Sequence, residues 1–264
     1  MTGSINHARL LADSLPCAFR DSGCGNPVMV LHGGAGPQSV TGLADSLAAY
    51  ARVVLPVLPG FNGEPRPDWL DSVSGLATAC LSLAERLALD GLVIVGNSVG
   101  GWIAAEMALR HSPYVKGVVL INPVGIDPGP GKGIINPAML PPQQRAALAF
   151  HDPARHGFAD TDTDTDRQSI LRNNQIALNA YAGSPYMHSP SLATRLAEVN
   201  VPALVIWGTS DGIVDEDYGR RMASSIATAR FEPVADAGHF PHIEQPERVI
   251  ALIRTFISSY AAVG

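Results

Sequence analysis

A chain of 264 residues and 27.7 kDa is long enough for one globular domain, or for one domain with an insertion. Apolar residues make up 46% and charged residues 16%, which is typical of folded soluble proteins and excludes a disordered chain. The net charge of -6 and the lack of any basic run argue against nucleic acid as a partner, because phosphate binding needs clustered lysines and arginines.

The N-terminal stretch MTGSINHARLLADSL has polar and charged residues where a signal peptide would be continuously apolar. No window approaches the roughly 18–20 apolar residues of a membrane span. The three cysteines, Cys17, Cys24 and Cys80, are scattered without a CxxC pattern, so they indicate neither a disulfide framework nor a zinc site. We expect a cytoplasmic monomer or homodimer that binds a small molecule and neither membrane nor nucleic acid.

Short apolar runs alternate with segments of helical period along most of the chain. The runs are mostly continuous, as in strands that are buried on both faces of a parallel sheet. They predict strands at Val28–His32, Val53–Leu58, Leu92–Gly96, Val118–Asn122, Ala203–Trp207 and Phe231–Val234. The intervening segments predict helices at Ser39–Tyr50, Ser72–Leu89, Val99–Arg110, Asp217–Ile226 and Pro246–Tyr260. This alternation predicts an α/β fold with right-handed crossovers.

The segment from Pro123 to Asn200 interrupts this alternation, because it contains no convincing strand. It is rich in Pro, Gly, Asn and Gln, with helical patterns at Gln143–Phe150 and Gln168–Tyr181. A segment of this length is too long for a plain loop in a compact domain. We therefore predict a core of residues 1–122 and 201–264 and an inserted, mainly helical cap of residues 123–200.

The third predicted strand runs into the motif Gly96-Asn97-Ser98-Val99-Gly100, followed by a helix. A strand-to-helix turn this tight strains the central residue and leaves no room for side chains at Gly96 and Gly100, so it exposes the Ser98 hydroxyl. The start of the helix also places backbone N–H groups beside developing negative charge. On this motif alone, a nucleophile and a serine N-cap flanked by packing glycines are equally good interpretations.

A nucleophilic serine needs a histidine base and an acid that orients the base, and both residue types occur at the ends of later predicted strands. Asp211 follows Ala203–Trp207 directly, whereas Asp215, Glu216 and Asp217 lie nearer the next helix start, where acidic residues have a routine role. His239 follows Phe231–Val234, and we prefer it to His242, which leads into the final helix. The sequence therefore predicts a triad of Ser98, Asp211 and His239.

The first predicted strand ends in His32-Gly33-Gly34-Ala35-Gly36-Pro37. An oxyanion needs two N–H donors near the nucleophile, and glycines let the backbone approach the substrate. We predict the N–H groups of Val99 and Gly34 as the donors, with Ala35 as the alternative to Gly34. His32 is expected to hold the loop by hydrogen bonds; a glycine-rich turn without any catalytic part is the competing interpretation.

Together these motifs resemble the α/β-hydrolase superfamily: LHGGAG (31–36), LPGFNG (58–63), VGNSVGGW (95–102), LVIWGTSDGIV (204–214) and AGHFPHIEQPE (237–247). They are similar to the cap-bearing branch with esterases, lactonases, carbon–carbon bond hydrolases of ring-cleavage products and cofactor-free haloperoxidases. The resemblance implies an eight-stranded, mostly parallel sheet with helices on both faces and a helical cap after the sixth strand. A serine at position 98, where dehalogenases and epoxide hydrolases carry aspartate, disfavours those two classes.

The expected reaction is two-step acyl transfer on a carboxylic ester or lactone through an acyl-enzyme, without a metal or an organic cofactor. One alternative is a carbon–carbon hydrolase of a ring-cleavage-type diketone, which would place polar or cationic cap groups against a substrate carboxylate. The other alternative is a ligand-binding, receptor-like member with little turnover. Candidate groups for a carboxylate are Arg145, Arg155, Arg167, Arg172 and Asn173.

The substrate pocket is predicted from apolar residues near the triad positions and in the cap. Trp102 and Phe240 neighbour the triad in sequence and are candidate pocket walls, although packing explains each equally well. The cap candidates are Phe150, Tyr186 and Met187, with Met139 and Leu140 as further apolar residues.

Overall fold

A computed structural model describes residues 4–12, 14–156 and 165–261 of the chain. Its strands are β1 (Ile5–Leu10), β2 (Leu15–Ser22), β3 (Pro27–Leu31), β4 (Arg52–Pro56), β5 (Leu92–Asn97), β6 (Val115–Ile121), β7 (Ala203–Gly208) and β8 (Ala229–Val234). They form one 8-stranded sheet in the order β1-β2-β4-β3-β5-β6-β7-β8. Only β2 runs antiparallel to its neighbours, so the sheet is parallel from β4 to β8.

Helices cover both faces of this sheet. They are α1 (Gln38–Leu47), α2 (Val73–Arg86), α3 (Val99–Ala108), α4 (Pro142–Ala149), α5 (Pro153–His156), α6 (Thr165–Ala182), α7 (Leu192–Arg195), α8 (Glu216–Ser224), α9 (Pro241–Glu244) and α10 (Pro246–Ala261). Apolar side chains of α1 and α10 share one buried cluster with the sheet, and those of α2, α3 and α8 share the other. Within the described ranges, no helix combines the length and the hydropathy that crossing a bilayer would require.

All six strands predicted from apolar runs are confirmed, with ends that differ by a few residues. The first two strands were not found by periodicity, because β1 is largely exposed at the sheet edge and its sequence INHARL has no apolar run. β2 carries the mixed sequence LPCAFRDS for the same reason, since it lies next to that edge. The family resemblance did imply the eight strands, and the sheet confirms that number.

Four helices and two short 3-10 turns, but no strand of the sheet, occupy the described part of the chain between β6 and β7. This agrees with the predicted helical segment, although residues 157–164 of it lie outside the described residues. Phe150, Leu178 and Tyr181 of this segment pack in the same hydrophobic cluster as β3, β5 and β7. Because one cluster joins the segment to the sheet, the cap boundaries at 123 and 200 stay a prediction.

The buried carboxylate of Glu106 links α3 to α7, which lies shortly before β7 in the chain. Glu106 of α3 is 2% exposed, and its two carboxylate oxygens accept hydrogen bonds from Arg195 of α7 at 2.9 and 2.7 Å. The guanidinium of Arg110 lies 3.3 Å from the same carboxylate and donates to the carbonyl oxygen of Ser74 in α2 at 2.7 Å. A bidentate pair of this kind is stronger than a neutral hydrogen bond and is specific in geometry.

We predict that Arg195→Met destabilises the protein by about 2–3 kcal/mol, because it removes the bidentate partner of a buried carboxylate while Arg110 remains. The free energy of unfolding in urea measures this effect. Arg248→Met is the matched control, since its pair with Glu232 is exposed and 3.7 Å long and should contribute less than about 1 kcal/mol. Equal losses in the two variants would contradict the prediction.

Candidate active site

Ser98 lies between the end of β5 and the start of α3 with φ 57° and ψ -120°. This backbone conformation is strained for a residue with a side chain. A Cβ added at Gly96 would lie 2.1 Å from the carbonyl oxygen of Gly100, and one added at Gly100 would lie 2.3 Å from that of Leu31. The prediction that this turn has no room for side chains at Gly96 and Gly100 is therefore confirmed.

Ser98 is a half-buried residue whose backbone is held on both sides. Its N–H donates to the carbonyl oxygen of Ile121 at 3.0 Å, and its own carbonyl oxygen accepts from Gly101, Trp102 and Val124. Within the described residues, Ser98 Oγ makes no hydrogen bond, and in particular none to His239. Such bonds often form only when substrate binds. The backbone of this turn is therefore set before any substrate arrives, and the hydroxyl is left available.

Asp211 and His239 form a buried pair at the carboxyl ends of β7 and β8. His239 Nδ1 lies 2.7 Å from Asp211 Oδ2, and the two residues are 4% and 8% exposed. Asp211 Oδ1 accepts from the N–H groups of Ile213 at 2.8 Å and Val214 at 3.2 Å. These donors hold the Asp211 carboxylate in place, and its contact with Nδ1 favours the tautomer with the proton on His239 Nδ1, which leaves Nε2 free to accept.

Two buried asparagines complete the support of this pair. Asn122, at the end of β6, donates to Asp211 Oδ2 at 2.8 Å and accepts from the N–H of Gly208 at 2.9 Å. Asn97 donates through Nδ2 to the carbonyl oxygens of Ile121 and His239, both at 3.1 Å. No role was predicted for either asparagine from the sequence. Both asparagines lie at the carboxyl ends of neighbouring strands, where α/β sheets place their ligand sites. That position could have identified them from the sequence.

The competing acidic residues and the second histidine have structural positions. Asp215 caps α8 by accepting from the N–H of Tyr218 at 2.9 Å and pairs with Lys132 at 2.8 Å. His242 is buried, and its Nε2 donates to the carbonyl oxygen of Ser39 at 2.9 Å, which joins α9 to α1. Both arrangements agree with the choice of Asp211 and His239 for the site.

His32 holds the glycine-rich loop after β3. Its Nδ1 donates to the carbonyl oxygen of Gly33 at 2.9 Å, and its Nε2 accepts from the N–H of Leu58 at 3.1 Å. The ring is fully buried, and burial lowers the pKa of His32 from 6.5 to about 4, although the bond to Gly33 opposes that change. His32 is therefore uncharged at neutral pH and holds the loop by hydrogen bonds; it does not carry protons.

The loop held by His32 passes beside Ser98. A Cβ added at Gly33 would lie 2.9 Å from Ser98 Cβ and 3.5 Å from Ser98 Oγ, so only glycine fits there. Within the described residues, the N–H groups of Gly34 and Val99 are bonded to no backbone acceptor. Two free donors are what an oxyanion hole requires, and the assignment of Gly34 and Val99 to that role stays a prediction.

One face of α6 closes over this loop. Asn174 Oδ1 accepts from the N–H of Asn62 at 2.7 Å, and its Nδ2 donates to the carbonyl oxygen of Ala35 at 3.4 Å. A Cβ on Gly34 would lie 2.5 Å from Leu178 Cδ2, and Tyr181 donates its hydroxyl to the carbonyl oxygen of Pro59 at 3.0 Å. The spacing 174, 178, 181 is one helical face, which was not identified from the sequence.

The predicted pocket residues fall into two groups. Phe240 packs edge-on to His239 at 5.2 Å between ring centroids and stacks on the buried Phe150 at 5.4 Å. Trp102 packs where a side chain on Gly125 would lie, and its ring is 5% exposed. Tyr186 is half-buried and Met187 buried in the loop after α6. The assignment of all five to the pocket stays a prediction.

Of the other cap candidates, Met139 is 79% exposed, so its side chain lines no buried pocket, and Leu140 is half-buried. The polar candidates Arg155, Arg172 and Asn173 are exposed, and Arg145 is half-buried. The side chain of Arg167 lies outside the described residues.

Comparisons with known proteins agree with the fold. A family model described as the alpha/beta hydrolase family matches residues 28–252. The chain is 27% identical over 269 residues to the 2-hydroxy-6-oxo-6-phenylhexa-2,4-dienoate hydrolase of Burkholderia cepacia, with 91% of each chain covered. It is 27% identical to the 2-hydroxymuconate semialdehyde hydrolase of Pseudomonas sp. strain CF600, with 97% of this chain and 95% of that one covered. A thermophilic esterase from Thermogutta terrifontis superimposes with a TM-score of 0.77 at 25% identity, covering 97% and 98%.

The buried histidines make stability depend on pH. Burial lowers the pKa of His242, like that of His32, from 6.5 to about 4, against the opposing effect of its bond to Ser39. Between pH 6.5 and 4 the unfolded chain therefore binds protons that the folded protein excludes. We predict that the free energy of unfolding falls across this window as pH decreases, by about 1.4 kcal/mol for each unit of pKa difference.

Urea denaturation at several pH values between 7 and 4 measures this slope. His242→Gln should reduce the slope, because only His32 then binds a proton in the unfolded chain that it does not bind in the folded protein. The exposed His7→Gln is the control and should leave the slope as in the wild type. A slope that His242→Gln leaves unaltered would rule out this source of the pH dependence.

Proposed function

We propose that this chain, which belongs to the alpha/beta hydrolase family, is a serine hydrolase that cleaves carboxylic esters or lactones of small to medium size. The observation that carries the proposal is the arrangement of one strained, accessible serine, a buried Asp211–His239 pair and two free N–H groups at one edge of the sheet. A hydroxyl, an oriented base and oxyanion donors are the requirements of acyl transfer.

In the proposed mechanism, Ser98 Oγ attacks the substrate carbonyl while His239 Nε2 takes its proton. Asp211 holds the Nδ1–H of His239 and stabilises the imidazolium that forms. The N–H groups of Val99 and Gly34 donate to the oxyanion, and His239 then protonates the leaving group. Water activated by the same histidine hydrolyses the acyl-enzyme and regenerates Ser98.

The charge distribution around the site supports a neutral substrate. The buried polar and charged residues include no lysine or arginine anywhere in the described part of the chain. Burying a substrate carboxylate without a paired cation is costly, whereas an uncharged acyl group has no such cost. The aromatic rings of Phe150 and Phe240 beside His239 favour an apolar acyl or alcohol group.

The second candidate function is carbon–carbon bond hydrolysis. The curated relatives that support it are dienoate and semialdehyde hydrolases that align over more than nine-tenths of this chain. The same serine, base and oxyanion donors would serve a ketone carbonyl. Against it, Arg155 and Arg172, two of the cationic candidates for a substrate carboxylate, have exposed side chains.

We predict that Ser98→Ala lowers kcat on a p-nitrophenyl ester by about 10⁴-fold or more, because the nucleophile is lost while the oxyanion donors remain. Its thermal unfolding should match that of the wild type. Ser224→Ala, an exposed serine on α8, is the control and should keep full activity. Turnover by Ser98→Ala near the wild-type rate would rule out Ser98 as the nucleophile.

A substrate panel separates the two candidate functions. We expect turnover of p-nitrophenyl esters and lactones, and a kcat/KM for a carboxylate-bearing ring-cleavage dienoate lower by about 100-fold, because no buried cation pairs with its carboxylate. Absorbance of p-nitrophenolate and of the dienoate chromophore reports the two reactions, with Ser98→Ala as the blank for both. A dienoate that is the better substrate would establish carbon–carbon hydrolysis instead.

A further inference from the structure

The carboxyl end of α4 contacts both loops that carry the acid and the base. The carbonyl oxygen of Leu148 accepts from the N–H of Gly212 at 2.9 Å, next to Asp211. The carbonyl oxygen of Ala149 accepts from the N–H of His239 itself at 2.8 Å. The last carbonyls of a helix have no partner within the helix, so these loops complete the hydrogen bonding of α4.

Two glycines make this approach possible. A Cβ added at Gly238 would lie 2.4 Å from the carbonyl oxygen of Ala149, and one at Gly212 would lie 3.0 Å from Leu148 Cδ2. The residue before His239 and the residue after Asp211 therefore both leave space for the backbone of α4. Any shift of α4 would act directly on the backbone of the base.

Glu244 also connects the loop that contains His239 to the segment that follows α4. This half-buried residue ends α9, and its Oε2 accepts from the N–H of Gly238 at 2.6 Å and from that of His151 at 3.2 Å. Its Oε1 accepts from the N–H of Asp152 at 2.9 Å. One carboxylate thus binds the backbone that precedes His239 and the backbone that follows α4.

A carboxylate is the side chain best suited to this position. Three N–H donors converge on it, and both of its oxygens accept, which a glutamine amide cannot reproduce because one of its two ends donates. A side-chain contact adds to the arrangement, since His151 Nδ1 lies 2.9 Å from Ser210 Oγ in the loop of Asp211.

We propose that Glu244 is a positioning residue through which the segment after α4 holds His239 against Asp211. This inference rests on the proposed function, because it assigns His239 as the base and acid of acyl transfer. Glu244 touches no reacting atom; it holds the loop so that Nε2 points at Ser98 Oγ and at the leaving group. Misplacement of such a group by about 1 Å costs about 100-fold in rate.

The test compares Glu244→Gln with the wild type on two esters of one acid, a p-nitrophenyl ester and an ethyl ester. Ethoxide needs a proton from His239 to leave, whereas p-nitrophenolate does not. We expect kcat/KM, which reports the acylation step, to fall about 10-fold on the p-nitrophenyl ester and about 100-fold on the ethyl ester. Rates are divided by the active sites that a phosphonate ester titrates. A variant that merely contains less folded enzyme would keep the wild-type ratio of the two rates. A wild-type ratio in Glu244→Gln would therefore overturn the proposal.

Two further variants complete the test. Glu247→Gln makes the same charge change on the exposed start of α10 and should keep the wild-type ratio. Ser210→Ala removes only the contact to His151 and should shift the ratio in the same direction by a smaller factor, so it serves if Glu244→Gln does not fold. A wild-type ratio in Ser210→Ala and Glu244→Gln alike would refute the positioning role.

A spectroscopic measurement separates this inference from the proposed function. The proton between His239 Nδ1 and Asp211 should give a low-field proton NMR signal that Glu244→Gln shifts or broadens and Glu247→Gln leaves in place. If the wild type hydrolyses no ester and this signal still responds, the proposed function fails and the positioning role stands. An unaltered signal in folded Glu244→Gln overturns the positioning role whatever the activity.

Discussion

The strained backbone of Ser98 depends on the close approach of β5, α3 and the end of β3. The positive φ of 57° places a residue with a side chain where the chain ordinarily uses glycine, at a cost of order 1–3 kcal/mol. Carbonyl groups of Leu31 and Gly100 occupy the space where Cβ atoms of Gly100 and Gly96 would lie, so the packing determines the turn. The sheet order that puts β3 and β6 on either side of β5 also brings the oxyanion loop and Asn122 to this serine.

A second constraint is the cost of burying charge. Asp211 lies in the interior and is tolerated because two backbone N–H groups, Asn122 and His239 all donate to it. Glu106 follows the same rule, since it pairs with the two arginines Arg110 and Arg195. The difference is position: Asp211 is at a strand's carboxyl end beside a histidine, whereas Glu106 is in the middle of a helix.

Three glycine-containing loops at the carboxyl ends of the strands are bonded to the segment between β6 and β7. Asn174 of α6 donates to one loop, and the last carbonyls of α4 accept from the two others. Glu244 links one of these loops back to that segment. The helices over the site are therefore part of the scaffold of the site, as their shared hydrophobic cluster with the sheet also indicates.

The sequence by itself determined the parallel strands and the placement of Ser98, Asp211 and His239 after the ends of three of them, because continuous apolar runs mark buried strands. It did not reveal β1 and β2, whose exposed and mixed residues carry no apolar run. Only the tertiary structure decided which N–H groups stay free, which asparagines hold the acid, and where Glu244 reaches. Those relations join residues far apart in the chain, and no local pattern encodes a hydrogen bond between distant loops.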